Sequence, residues 1–263
     1  MGNFDRYAST QDAAADLAWI WQRALLEHVP EGTVDVRIAY YADQLRATPT
    51  LAAAVGQQLG DANAEQLVAW ADALGAPPEV AQGHGTAPLR QFVDWLAGRR
   101  GLDNALVRFF VNKFLSEVDR YLGDQESATR LEVRRIVEQT LEQHQPDVVI
   151  AHSLGSVVAY EALIARPDLH VDLFVTIGSP LALDTIVYDR LLRDGDDTPS
   201  RRPNVRSWIN VSDVGDVVAV PRSFASRFDV DTEHEESLGL TSMHDAVDYL
   251  RTKTIGGIVA AAG

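Results

Sequence analysis

Apolar residues recur at helical spacing near the start of the chain, where Ala13, Leu17, Ile20, Trp21, Ala24 and Leu25 share one face. Ser9 with Asp12 three residues later is a capping-box start, and Pro30 with Gly32 closes the run, so the pattern predicts an amphipathic helix. The period then changes. VDVRIAYYA, residues 34–42, alternates and is rich in β-branched and aromatic residues, which predicts a strand. Helical texture returns from about residue 50 to 145. Within it Leu102, Leu106, Phe109, Phe110, Phe114, Val118 and Leu122 form one stripe, the pattern of a core-facing helix.

After Pro146 three β-rich runs follow: DVVIAHS, VDLFVTIGSP and VRSWINVSD. Strands alternating with helices or loops predict an α/β fold, a mostly parallel sheet with helices on both faces. RDGDDTPSRRPN, residues 193–204, lacks the glutamate and spacing of a calcium loop and reads as a solvated turn. A chain of 263 residues with 46% hydrophobic content suffices for one domain spanning 1–263. The helical stretch at about 50–145 is then an insertion placed to cap a site.

Charge narrows the partners. A formal net charge of −15 repels phosphate backbones and anionic lipid, which argues against nucleic acid and membrane surfaces and favours a neutral or cationic small molecule. The absence of cysteine removes disulfides, thiolate metal sites and a cysteine nucleophile. No apolar run approaches about 18 residues and no signal-peptide pattern opens the chain, so a cytoplasmic protein without a stable membrane anchor is expected. An oligomer is compatible with all of this.

The candidate chemistry lies in IAHSLGSVVAYEAL, residues 150–163, where a β-forming run passes into a helical one with Ser153 at the change of period. That is the place of a nucleophile elbow, written G-x-S-x-G because the turn is crowded; here Ala151 and Gly155 hold the outer positions. A plain turn serine is the alternative. A serine hydroxyl needs a base to take its proton and an acid to orient that base. Asp213 and Asp216 both follow the strand in SWINVSDVGDVVAVP, and His244 opens the last helical pattern in GLTSMHDAVDYL, with Ser242 as its cap. Other histidines have plainer readings: His152 packs beside the elbow, His234 sits in an acidic exposed loop, and His84 in QGHGTAP occupies a turn.

Taken together, VVIAHSLGSVVAYEAL, VTIGSPLAL, WINVSDVGDVVA and MHDAVDYL resemble the lipase and esterase-like branch of the α/β-hydrolase superfamily, over roughly residues 145–252. DVRIAYYADQL also resembles the second-strand region of such bacterial hydrolases. The resemblance implies a serine hydrolase of carboxylic esters or related acyl bonds, with Ser153 as nucleophile, His244 as base and the aspartate of DVVAVP, Asp216, as acid; Asp213 is the rival. It implies the backbone N–H of Leu154 as one oxyanion donor. A serine mechanism needs no metal and no organic cofactor, and the sequence shows no ligand cluster. Trp95, Phe109, Phe110 and Phe114 of the apolar helical stretch fit an acyl pocket and helix packing equally well; the first reading predicts short to medium acyl esters as substrates, in preference to peptides. Such hydrolases usually open with a strand ending in His-Gly that supplies the second oxyanion donor, whereas this chain opens MGNFDRYAST. The second donor is therefore expected near Gly2 or Asn3, from a cap loop, or from an upstream extension. A catalytically weak or inactive scaffold that binds a ligand or partner is the competing expectation.

Overall fold

The computed structural model describes residues 9–45, 61–81, 88–193, 202–220, 224–239 and 244–262. Four strands form one all-parallel sheet in sequential order: β1 (Val148–His152), β2 (Val171–Ile177), β3 (Val205–Asp213) and β4 (Thr232–Glu236). The first three coincide with the three β-rich runs. Their apolar continuity reflects burial on both faces, as parallel sheets require. Along β2, Leu173, Val175 and Ile177 enter one core cluster while Val171 and Phe174 enter the other. The polar residues of that second face are paired among themselves: Trp208 Nε1 donates to Thr176 Oγ1 at 3.2 Å, and Thr176 Oγ1 donates to Asn210 Oδ1 at 2.9 Å.

One face of the sheet is covered by α1 (Thr10–Leu25) with the C-terminal helices α8 (Ala246–Leu250) and α9 (Lys253–Ala262). The expected capping of α1 is present, with Ser9 Oγ accepting from Asp12 N at 3.1 Å. The other face carries the predicted helical region as α2 (Asp61–Ala73), α3 (Pro78–Ala81), α4 (Pro88–Arg100), α5 (Asn104–Leu122) and α6 (Ala128–His144), together with α7 (Leu154–Ala165). Helix α7 is buried almost throughout, and its Glu161 is held by Arg130 of α6 in a fully buried ion pair. Tyr121 Oη at 2.8 Å and Leu192 N at 2.8 Å also donate to Glu161.

Three expectations change. Residues 34–41 are not a strand: burial alternates over 34–38, but the segment carries no ladder, and Val34 and Val36 lie against one core cluster and Ala39 and Tyr41 against the other. The α5 stripe has the predicted period and a different phase. Val107, Val111, Phe114, Leu115, Val118, Tyr121 and Leu122 are buried, while Leu106 and Phe109 are 51% and 67% exposed. His234 lies in a strand rather than a loop, since β4 pairs with β3 and places His234 opposite Val211. The polar turn at 193–204 and the His84 turn fall almost wholly outside the described residues.

Among the described residues, no helix is long and apolar enough to cross a membrane.

Candidate active site

The parallel register aligns the carboxyl ends of the strands: His152 lies opposite Ile177, Ile177 opposite Val211, and Val211 opposite His234. The residues just beyond these ends therefore share one rim, and the candidate site is built there. Ser153 follows β1 and caps α7 with φ 55° and ψ −134°. This backbone is disfavoured for any residue with a side chain, and such strain gathers at functional turns. Ser153 N donates to Ile177 O at 3.3 Å, which ties the turn to the end of β2.

Crowding explains the motif. A Cβ at Gly155 would lie 3.2 Å from Tyr41 Oη, whereas the methyl of Ala151 is accommodated in the core, so alanine is tolerated at the first position and glycine is kept at the second. Leu154 is the first residue of α7, so its N–H has no acceptor within the helix.

Asp216 and His244 meet across the rim. His244 Nδ1–H donates to Asp216 Oδ2 at 2.7 Å, and both side chains are 1% exposed. Asp216 Oδ1 accepts from Val218 N at 2.8 Å and Ala219 N at 3.3 Å. Burial opposes its charge, but His244 and the hydrogen bonds from His244, Val218 and Tyr249 outweigh that penalty and hold its pKa below the ordinary carboxylate value. Gly178, directly after β2, makes room for the pair: with φ +54°, a Cβ there would lie 2.8 Å from Asp216 Oδ2 and 3.0 Å from His244 Cε1.

Asp213, the rival acid, is occupied elsewhere. Its carboxylate accepts from Leu238 N at 2.7 Å and Gly215 N at 2.9 Å, so it shapes the loop after β3 and does not touch His244. The two aspartates are linked by Tyr249, which the sequence reading passed over. Asp213 N donates to Tyr249 Oη at 2.9 Å, and Tyr249 Oη donates to Asp216 Oδ2 at 2.8 Å. Burial, followed by the Asp216 charge, pushes the Tyr249 pKa up and keeps its phenol protonated as that donor.

His152 packs against His244. Its ring centroid lies 4.5 Å from that of His244, and the edge of Phe110 meets His244 from α5 at 5.9 Å. Burial, with His244 second, drives the His152 pKa well down, so it stands neutral beside the base. Three buried polar atoms here lack a hydrogen-bond partner among the described residues: Ser153 Oγ, His244 Nε2 and His152 Nε2. Ser153 is only 3% exposed, and no hydrogen bond joins its Oγ to His244 Nε2.

The start of α8 differs in detail from expectation. Asp245, not Ser242, caps it, accepting from Val247 N at 2.8 Å, and His244 lies just before the cap. Ser242, Gly2 and Asn3 lie outside the described residues. The aromatic residues expected around an acyl group separate: Phe110 touches His244, Phe114 is core, Phe109 faces outward, and Trp95 lines a neighbouring cavity. That cavity, of about 400 Å³, is bounded by Trp95, Arg99, Arg100, Val214 and Val217 and reaches Asp216, but Ser153 and His244 are not in its walls.

The chain matches no family model, no curated protein and no solved structure.

Proposed function

We propose that this chain is a serine hydrolase of the α/β-hydrolase kind that cleaves carboxylic esters or related acyl bonds through an acyl-enzyme on Ser153. The observation that carries the reading is the buried Asp216–His244 pair at 2.7 Å, set on the same rim as a serine held at positive φ between a strand and a helix. In this reading His244 Nε2 takes the proton of Ser153 Oγ as that oxygen attacks the acyl carbon. Asp216 keeps the Nδ1–H tautomer and stabilises the imidazolium, and Leu154 N–H donates to the carbonyl oxygen as charge develops there. His244 then protonates the leaving group, and water repeats the cycle in reverse to free the serine. The contact between nucleophile and base is often long in free enzymes and tightens with substrate.

The strong net negative charge disfavours anionic substrates, and Phe110 gives the base an apolar neighbour, so neutral short to medium acyl esters suit the site better than peptides. A second reading is a hydrolase-like scaffold that binds without turnover. It draws on the 3% exposure of Ser153 and the missing Ser153–His244 hydrogen bond.

A fluorophosphonate probe separates the two. The expected result is covalent labelling of the wild type, absent in Ser153→Ala, with turnover of p-nitrophenyl acyl esters lost in the same variant. Folded wild-type protein that takes up no probe would establish the scaffold.

A further inference from the structure

One backbone N–H is a thin provision for an oxyanion, since donors at this position commonly act in pairs and each is worth about 100- to 1000-fold in rate. Residues 34–41 bear on the second. The segment passes from one core layer to the other and brings Tyr41 to the start of α7, with its Oη 3.2 Å from where a Cβ of Gly155 would stand. Gly155 directly follows Leu154, the expected first donor. The Tyr41 hydroxyl thus stands beside the residue that follows the expected first donor.

Helix α5 gives the orientation. Its Phe110 lies against His244, and Glu117, seven residues later, is the charged group that acts on Tyr41. Two helical turns are about 10 Å, so the residues of α5 that bear on the base and on the phenol are separated along the helix. Acyl transfer needs that division, with proton transfer on one side of the attacked carbonyl and oxyanion stabilisation on the other. Lys113 pairs with Glu117 at 3.2 Å and offsets its charge. Burial, with Glu117 second, pushes the Tyr41 pKa up, which keeps the hydroxyl a donor.

We propose that Tyr41 Oη is the second oxyanion donor, acting with Leu154 N–H on the carbonyl oxygen of an acyl ester. The proposal rests on the serine hydrolase reading. As Ser153 Oγ bonds to the acyl carbon, the carbonyl π pair moves to oxygen and the serine proton passes to His244 Nε2. The alkoxide accepts hydrogen bonds from Tyr41 and Leu154, and the phenol keeps its proton throughout. When the carbonyl re-forms, the bond to the leaving oxygen breaks and His244 returns the proton to it.

Tyr41→Phe removes only the hydroxyl. With p-nitrophenyl esters it is expected to lower kcat by about 100- to 1000-fold with KM nearly unchanged, because the donor acts on charge that develops only in the transition state. Melting and near-ultraviolet circular dichroism should match the wild type. Gly155→Ala, which presses a methyl against Oη, provides the second arm. It should lower kcat in the wild type, and by a smaller factor in the Tyr41→Phe background. Should Tyr41→Phe fail to fold, Gly155→Ala alone decides, with an unchanged kcat overturning the proposal. Ser153-dependent turnover that survives Tyr41→Phe at the wild-type rate, or a loss confined to KM, overturns the role of Tyr41 and leaves the hydrolase reading standing. Absence of any Ser153-dependent turnover or labelling in the wild type removes both.

Discussion

Two buried carboxylates organise this protein, and they are built alike. Glu161 and Asp216 each accept from a tyrosine hydroxyl and from backbone N–H, and each faces a side chain that can carry positive charge. The difference lies in that partner. Arg130 is permanently charged and cannot exchange a proton, so the Glu161 cluster is a fixed knot joining α6, α7 and the segment at 190–192. Among the described residues Arg130 Nη1 has no hydrogen-bond partner, and neither do His244 Nε2, Ser153 Oγ and His152 Nε2. Unsatisfied groups in a structural cluster are scattered donors; here they are neighbouring acid–base atoms on a common rim. On the proposed reading, that contrast separates a stabilising buried charge from one poised for chemistry.

The comparison can be broken by exchanging charge for neutral isosteres. Asp216→Asn should leave the fold intact and lower kcat by up to about 10,000-fold, because the wrong tautomer of His244 then faces the serine. Asp213→Asn, measured in parallel on the same ester, should change turnover far less, since that carboxylate serves Leu238 and Gly215. Reversed effects would exchange their roles. Glu161→Gln should do the opposite of Asp216→Asn: it strands a buried guanidinium and should cost about 3–5 kcal/mol in urea unfolding, while the folded fraction keeps its turnover.

A smaller effect sharpens the contrast. Tyr249→Phe deletes one hydrogen bond to Asp216 and leaves Asp213 N–H without its acceptor. A charged hydrogen bond worth about 1.5 kcal/mol predicts roughly a tenfold loss in kcat, alongside a comparable loss of stability. The sign of the acid dependence follows from the lowered pKa of Asp216. Its contribution is fully present above the unfolded carboxylate value, about 3.9, and is lost as pH falls through the lower folded value. Urea midpoints followed from neutral pH downward should therefore fall less steeply through that window in Asp216→Asn than in the wild type.

How much of this was legible before folding depends on where the signal resides. The strands at 148–152, 171–177 and 205–213 announce themselves because two-sided burial demands uninterrupted β-branched and apolar residues. TEHEE at 232–236 does not, since its side chains are exposed or half-buried and it needs no apolar run. VDVRIAYYA reads as a strand because its first five residues alternate in burial, and alternation alone does not supply a ladder partner. For α5, periodicity is local but phase belongs to the neighbours, so Leu106 and Phe109 look like core and are not. The meeting of Asp216 and His244 could be anticipated because the types, order and spacing of Ser153, Asp216 and His244 carry information. Tyr249 could not: within MHDAVDYL it is an ordinary buried helix residue, and its link between two aspartates exists only once β3 and α8 are packed together.

The backbone of Ser153 has an evolutionary consequence. A residue with a side chain held at φ 55° and ψ −134° carries a conformational penalty of order 1–3 kcal/mol that glycine largely escapes. Ser153→Gly would therefore relax the turn, and selection for stability alone would drift toward it. A serine at that corner makes the protein less durable than a glycine would, and the hydroxymethyl group is what it adds.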